Sequence, residues 1–272
     1  METIIRPKNK WWKIDWQEIW EFRELFYFLT WRDIKVKYKQ TFVGVAWAIF
    51  QPLVTMVVFS IFFGKLAKMP SDGVPYPLFV YSGLVFWTFF SSSLASVSSS
   101  FVDNERILTK IYFPRIILPV SSIITHVVDF FVASFILVFI MGFYRFTPSI
   151  VGVLFFPFLV LLTCLSSLGI GLLFASLNVK YRDVRYVLPF FIQLLIFITP
   201  VIYPVSIIGQ KYRWLLGLNP MAGVVDAARA GLLGSREIDW LLLGVSGVSA
   251  AVYCLIGVIY FRKVERYFAD VI

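Results

Sequence analysis

The chain has 272 residues, of which 59% are hydrophobic and 15% charged, and its mean hydropathy is +0.81. A globular protein of this size needs a large polar exterior, so this composition excludes a water-soluble domain and indicates a membrane protein. The formal net charge is +9, but the basic residues stand between apolar runs, as beside anionic lipid headgroups, and we expect no nucleic-acid partner.

The first 43 residues are predicted to be a cytoplasmic or interfacial segment that precedes a membrane domain at 44–272. Residues 11–31 are rich in tryptophan but too charged to cross a bilayer, and their aromatic and acidic side chains fall on different helical faces. This pattern predicts an amphipathic helix lying in the membrane interface. Between residues 30 and 55 the chain changes from basic to almost wholly apolar, so we place its entry into the membrane there.

Six membrane-spanning helices are predicted, each near the ~20 residues needed to cross the hydrocarbon core. They occupy residues 44–64, 78–101, 116–141, 150–174, 187–203 and 239–261. Counting the connections on each side, 18 Lys and Arg residues lie on the side of both termini and 7 on the other. Excess positive charge marks the cytoplasmic side, so both termini are predicted to be cytoplasmic.

The connection at 204–238 differs from the other external loops because it is long and mostly apolar. Asn219 is a natural N-cap and Pro220 a natural first helical residue. We predict two short helices that partly re-enter the outer leaflet, with an ordinary amphipathic loop as the alternative. The predicted fold class is therefore an all-α integral membrane protein with six transmembrane helices, an N-terminal interfacial helix and short re-entrant helices between spans five and six.

The second predicted span is rich in serine, with Ser91, Ser92, Ser93, Ser96, Ser98, Ser99 and Ser100. Serine on a helix more often bonds to its own backbone than lines a polar pore, and we expect the former here.

His126 and Asp129 lie one turn apart on the third predicted span. Ionisable residues within a membrane are costly, so such a pair suggests a function. With one histidine in the chain, we favour an interhelical hydrogen-bonded pair, or a helix-end pair wetted by a cavity, over an intramembrane enzyme acting on a lipid-linked sugar. We assign no catalytic or metal-binding residue. The cysteines, Cys164 and Cys254, both fall within apolar runs and predict no disulfide framework.

The sequence has no GxxxxGK[ST] phosphate-binding loop, so a partner or an ion gradient must supply the energy. Gradient-driven carriers usually show internal repeats and broken spans with charged residues at mid-membrane, and neither feature is convincing here. We therefore favour an energy-supplying partner over an ion-coupled carrier.

Two cytoplasmic loops are predicted to contact a soluble partner. Loop 102–115 offers Asp103 or Asn104 as a cap, followed by one to two helical turns; loop 177–186 offers Asn178 as a cap. The alternative is that both are basic, lipid-facing turns.

Two spans carry aromatic and amide side chains on one face, a pattern that suits sugars because sugar rings stack their C–H faces on aromatics. The alternative is that these residues face lipid or pack within the bundle. They are Trp47, Gln51, Thr55 and Phe59 on the first span, and Phe190, Gln193 and Phe197 on the fifth.

The segment TWRDIKVKYKQTFVGVAWAIFQPL, at 30–53, closely resembles the entry segment of ABC-transporter permeases that export polysaccharides. The resemblance continues in NVKYRDVRYVLPFFIQLLIFITPVIYP at 178–204 and in LNPM at 218–221, and it covers nearly the full chain. It is nearest to the O-antigen export branch, with teichoic-acid and capsule exporters as alternatives.

The resemblance implies a homodimer in the inner membrane that binds two copies of a nucleotide-binding ATPase subunit and moves a lipid-linked polysaccharide such as O antigen. We expect no cofactor in this chain, because ATP and Mg²⁺ would be held by the partner. Patterns and resemblance together assign three sets of residues. Those for ATPase coupling are Arg32, Asp33, Lys35, Asn104, Glu105, Arg106, Lys110, Arg182 and Asp183. Those for the glycan path are Trp47, Gln51, Thr55, Phe59, Phe190, Gln193, Phe197 and Tyr203. Those for an external gate are Tyr212, Trp214, Asn219 and Pro220.

Overall fold

The apolar runs of the sequence form long helices. The computed structural model describes residues 16–39, 42–181, 183–234 and 236–265. In chain order the α-helices are α1 (Trp16–Glu21), α2 (Arg23–Lys39), α3 (Phe42–Phe59), α4 (Tyr76–Asp103), α5 (Glu105–Leu108), α6 (Ile117–Phe143), α7 (Ile150–Lys180), α8 (Val184–Ile198), α9 (Arg213–Leu216), α10 (Pro220–Leu233) and α11 (Trp240–Val264). A π-helical segment, Ser60–Leu66, continues α3.

Five helices in the described part of the chain are long and apolar enough to cross a membrane. They are Ala46–Leu66, Tyr76–Asp103, Ile117–Phe143, Ile150–Lys180 and Trp240–Val264. These agree with five of the six predicted spans and confirm the all-α membrane fold.

The fifth predicted span is shorter than expected: it is helical over Val184–Ile198 rather than 187–203. Its 15 residues rise only about 23 Å along the helix axis. The helix ends because Thr199 precedes Pro200, and a residue before proline is driven out of the helical region; Thr199 has an extended ψ of 135°.

Helix α4 lies at the centre of the bundle and packs against α3, α6, α7, α8 and α10. Its membrane-crossing window is 78% buried, whereas that of the first span is only 6% buried. Phe86 of α4, Phe130 of α6 and Phe156 of α7 form an aromatic cluster, with Phe86 and Phe130 ring centroids 5.1 Å apart. The core therefore surrounds α4, and α3 lies at its edge.

The cytoplasmic ends of two helices differ from the predictions. The prediction that Asn178 caps a helix is wrong: α7 runs on to Lys180, and Asn178 is buried and donates to the Ser98 carbonyl at 3.1 Å. Helix α5 forms one turn after Asn104, as predicted, but the Asn104 amide does not cap it. That amide donates instead to the Ser100 carbonyl at 2.9 Å.

The helix predicted at 11–31 lies partly outside the described residues, and its described part forms α1 and the start of α2. Leu29 is buried against Phe101 and Phe261, whereas Trp16 and Trp20 are more than 70% exposed. The tryptophans are thus free of the bundle, as expected of side chains at headgroup depth.

The connection at 204–238 contains two 3₁₀ turns, the single-turn helix α9, and α10 as its main helix. Helix α10 begins at Pro220 as predicted, and the Asn219 side chain caps it by accepting from the Met221 backbone N–H at 3.1 Å. It ends at Gly234, whose φ of 61° suits glycine at a helix C-terminus. All fourteen residues of α10 are buried in the bundle, the protein cover that a re-entrant helix requires.

Candidate coupling and translocation site

Arg32 connects the N-terminal helices to loop 102–115. Its guanidinium donates to Asp33 Oδ1 at 2.9 Å and to Asn104 Oδ1 at 2.9 Å. A second contact joins the same two elements, because the Tyr112 hydroxyl donates to Glu18 at 2.8 Å. We call this combined surface of α1, α2 and loop 102–115 the coupling surface.

Most of the residues predicted for ATPase coupling lie on this surface. Lys35, Glu105, Arg106 and Lys110 are exposed, and Arg32, Asp33 and Asn104 are half-buried beneath them. Asp183 is exposed at the start of α8, on a separate connection, and Arg182 lies outside the described residues.

A polar network behind the coupling surface connects α2 to α6 and α4. Asp129 of α6 accepts hydrogen bonds from the Lys37 ammonium and the Tyr38 hydroxyl at the end of α2. His126 Nδ1 lies 3.1 Å from Asp129 Oδ2, and its Nε2 lies 2.7 Å from Ser96 Oγ on α4. Burial and the bond to Asp129 raise the pKa of Tyr38, which keeps its hydroxyl protonated as a donor.

The network gives His126 and Asp129 hydrogen-bond partners on α2 and α4, as an interhelical role requires, and the pair also lines cavities. Both ring nitrogens and both carboxylate oxygens are engaged by neighbouring side chains. Within the described ranges, no three His, Cys, Asp or Glu side chains gather as the ligands of a metal ion would.

Two cavities flank the polar network. A cavity of about 390 Å³ lies on the side of the coupling surface and is lined by Arg32, Asn104 and Ser100, among others. A smaller cavity of about 90 Å³ lies toward the first span and is lined by Trp47 and Gln51, among others. Lys37 and His126 line both cavities, so the network forms the wall between them.

Helices α3 and α8 form the two sides of a groove whose floor is α4. Both helices pack on α4. Ser92 of α4 lines the cavity that contains Trp47 and Gln51, and it also lines a cavity of about 390 Å³ that contains Gln193 of α8. The strip of α4 around Ser92 therefore lies between the two predicted glycan faces, and we call this arrangement the groove.

The residues predicted for the glycan path divide into two groups. Trp47, Phe190 and Phe197 are more than half exposed, and Gln51 and Gln193 line the cavities of the groove. The other three residues make contacts within their own helix or the chain next to it. The Thr55 hydroxyl donates to the Gln51 carbonyl, Phe59 packs edge-to-face on Phe63, and the Tyr203 hydroxyl donates to the Ile198 carbonyl.

Sequence reasoning missed the serine floor of the groove. The expected backbone bonds exist, for example from Ser91 to the Thr88 carbonyl and from Ser98 to the Ala95 carbonyl. Ser96 nevertheless binds His126, and Ser92 faces two cavities. The spacing of Ser92, Ser96 and Ser99, four and three residues apart on one helical face, is the signal that identifies this floor.

Among the residues predicted for the external gate, Tyr212 and Trp214 are exposed, while Asn219 and Pro220 form the start of α10. Asn219 also donates to the Thr199 hydroxyl at 2.8 Å, which joins α10 to the break after α8.

Arg229 of α10 is a second residue that the sequence reasoning did not single out. It is buried and donates to the backbone carbonyls of Phe79, Pro200 and Val201, and its guanidinium carbon lies 3.7 Å from the centroid of the Phe79 ring. It thereby fixes α10 to the start of α4 and to the irregular chain after α8. A lone arginine within the apolar run VVDAARAGLL is the sequence signal for such a role.

The family model and the relatives that match this chain all indicate a transport protein. The family model described as ABC-2 type transporter matches residues 24–233. The O-antigen export system permease protein RfbA of Klebsiella pneumoniae is 25% identical over 249 residues, which cover 92% of this chain and 95% of the relative. The permease of the same name from Myxococcus xanthus is 30% identical over 217 residues, covering 79% of this chain and 82% of the relative. The polysialic acid transport protein KpsM of Escherichia coli is 24% identical over 243 residues, covering 86% and 91%.

Proposed function

Because this chain belongs to the ABC-2 type transporter family, we propose that it is the membrane subunit of an ATP-driven exporter of lipid-linked polysaccharide, with O antigen as its substrate. The observation that carries this proposal is similarity to O-antigen export permeases over nearly the whole chain. The similarity to a polysialic acid transport protein makes a capsule-type polysaccharide the alternative substrate. The chain is a multi-pass membrane protein, and we place it in the inner membrane with both termini in the cytoplasm.

In this proposal ATP and Mg²⁺ are held by a separate ATPase subunit, two copies of which act on two copies of this chain. The exposed charges of the coupling surface, with acidic and basic groups interspersed, suit a soluble protein partner. The N-terminal helices and loop 102–115 already form one surface, so a partner that moves one also moves the other.

The groove has the features of half a channel. Its sides, α3 and α8, are the least buried of the apolar helices. Trp47 lines the cavity beside α3, and Phe197 is exposed one turn beyond Gln193 on α8. A second copy facing the groove would close it. Aromatic faces then stack on sugar rings, while serine and glutamine side chains exchange hydrogen bonds with hydroxyl groups as the chain advances.

Changing Glu105 and Arg106 together to alanine tests the coupling surface. We expect the amount of co-purified ATPase to fall about tenfold, which corresponds to a loss of about 1.4 kcal/mol of binding free energy. Polysaccharide export should fall in parallel. The matched control is Lys211→Ala with Glu237→Ala, an exposed basic and acidic pair in the connections placed on the external side. Unchanged ATPase binding and export in the Glu105/Arg106 variant would show that this loop is not the docking site.

Changing Trp47 and Phe197 to alanine tests the glycan path. Each aromatic contact contributes about 0.5–1.5 kcal/mol beyond its buried area, so export should fall about tenfold while ATPase binding is retained. The control is Phe135→Ala with Phe139→Ala, two aromatic residues that are more than 70% exposed on α6, a helix that forms neither side of the groove. Equal export by the two double variants would remove the groove as the route of the polysaccharide.

A further inference from the structure

Asp129 is a carboxylate in the mostly apolar helix α6. Its side chain is 18% exposed, and Lys37, Tyr38 and His126 all bind it. The Lys37 side chain of this ion pair is 33% exposed, and ion pairs open to solvent contribute only about 0–1 kcal/mol to stability. The network therefore calls for an explanation other than stability.

The position of the network provides that explanation. Lys37 and Tyr38 belong to the last turn of α2, which ends at Lys39, and α3 begins at Phe42. Asp129 therefore binds the end of α2, the helix that carries the coupling surface, shortly before the chain enters α3, which forms one side of the groove.

Helix α2 is linked both to the coupling surface and to the groove. Arg32, five residues before Lys37 on α2, binds Asn104 in the coupling surface. Trp47 and Gln51 of α3 line the cavity that Lys37 and Asp129 also line. A displacement of the coupling surface is thus carried by α2 to the cavity that Trp47 and Gln51 line.

We propose that Asp129 is a positioning residue for transport. By binding Lys37 and Tyr38 it fixes the end of α2 to α6, so that movement of the partner ATPase is transmitted to the Trp47–Gln51 side of the groove. His126 and Ser96 extend this anchorage to α4, the floor of the groove. The inference rests on the proposed function, because it needs an ATPase that moves the coupling surface.

A merely structural role for Asp129 makes a different prediction. Loss of a structural contact lowers the amount of assembled transporter, so ATP hydrolysis and export fall together. Loss of a positioning contact leaves the assembled complex hydrolysing ATP and lowers the amount of polysaccharide exported for each ATP. The ratio of export to hydrolysis therefore separates the two roles.

The test uses the complete complex of this chain and its ATPase reconstituted in vesicles. Asp129→Asn keeps the size of the side chain and an oxygen for Tyr38 but loses the charge that holds Lys37. We expect assembly and ATP hydrolysis to be retained and export per ATP to fall about tenfold, within the usual range of coupling free energies between sites. Lys37→Met should have the same effect, and the double variant should be no worse than either single variant, because all three lose the same contact.

Lys263→Met is the control, since Lys263 is an exposed lysine in the last turn of α11, outside the coupling surface, and its export per ATP should equal that of the wild type. The inference is overturned if Asp129→Asn retains the wild-type ratio, if the effects of the two single changes add, or if export falls only in step with assembled complex. If Asp129→Asn fails to fold, the export per ATP of Lys37→Met, a change on α2, supports or overturns the proposal in its place. Failure of the wild-type complex to export any lipid-linked polysaccharide would overturn the proposed function itself.

Discussion

Replacing Arg229 with methionine is expected to remove most of the folded protein from the membrane. Methionine preserves much of the aliphatic stem but cannot donate to the carbonyls of Phe79, Pro200 and Val201. The Phe79 carbonyl keeps a bond from the Ser82 hydroxyl. The carbonyls of Pro200 and Val201, by contrast, lose their side-chain donor. Each buried carbonyl left without a partner costs about 1–3 kcal/mol, so the loss is a large part of the about 5–15 kcal/mol by which native proteins are stable.

The measurement is the yield of monodisperse protein in detergent together with its thermal unfolding midpoint. Arg229→Lys should give an intermediate result, because an ammonium retains the charge but cannot spread its donors as a planar guanidinium does. Arg145→Met is the control, since Arg145 is exposed on the connection between α6 and α7. A wild-type yield and midpoint for Arg229→Met would show that this arginine does not hold α10 in place.

Changing Gly257 to alanine should prevent the close approach of α11 to α7. A Cβ atom built at Gly257 would lie 2.1 Å from the carbonyl oxygen of Gly169, a backbone atom that moves only if the helices separate. Overpacking of this kind costs about 1–3 kcal/mol, and the helices also lose the packing that small residues allow in lipid. The expected result is a clearly lower unfolding midpoint in detergent.

Gly244 provides a matched control on the same helix. A Cβ atom there meets nothing within 4 Å, and Gly244 is exposed. Alanine favours a helix over glycine by up to about 1 kcal/mol in water, so Gly244→Ala should leave the midpoint unchanged or raise it. Equal midpoints for the two alanine variants would contradict the close backbone contact between α7 and α11.

Local signals in the sequence were sufficient to predict much of the fold. The apolar runs gave the long helices because a membrane-crossing helix needs about 20 apolar residues, whatever its neighbours. The start of α10 was also predictable, because the Asn219 cap and the fixed φ of Pro220 act within a few residues of each other.

The failures involve partners that are distant in sequence. Asn178 looks like a helix cap in isolation, but its amide reaches Ser98, 80 residues away, and α7 continues past it. The bonds of Asp129 to Lys37 and Tyr38 span 92 and 91 residues. A sequence pattern shows that a polar side chain in a span needs a partner, but not which helix supplies it.

The candidate site could be predicted only in part for the same reason. The two aromatic faces were visible as residues spaced by helical turns, because each lies on one helix. The groove between them depends on α3 and α8 packing on the same helix, α4, with Ser92 between them. That arrangement is tertiary, and no single segment encodes it.

The central claim is that this chain forms the membrane path of an ATP-driven polysaccharide exporter. It is tested most directly by reconstituting the chain with its ATPase in vesicles whose outer face is the cytoplasmic one, and measuring lipid-linked O antigen that becomes enclosed. The account predicts accumulation that requires external ATP and stops when the ATPase is made unable to hydrolyse it. Accumulation driven by an ion gradient in ATP-depleted vesicles, or by this chain without an ATPase, would contradict the account.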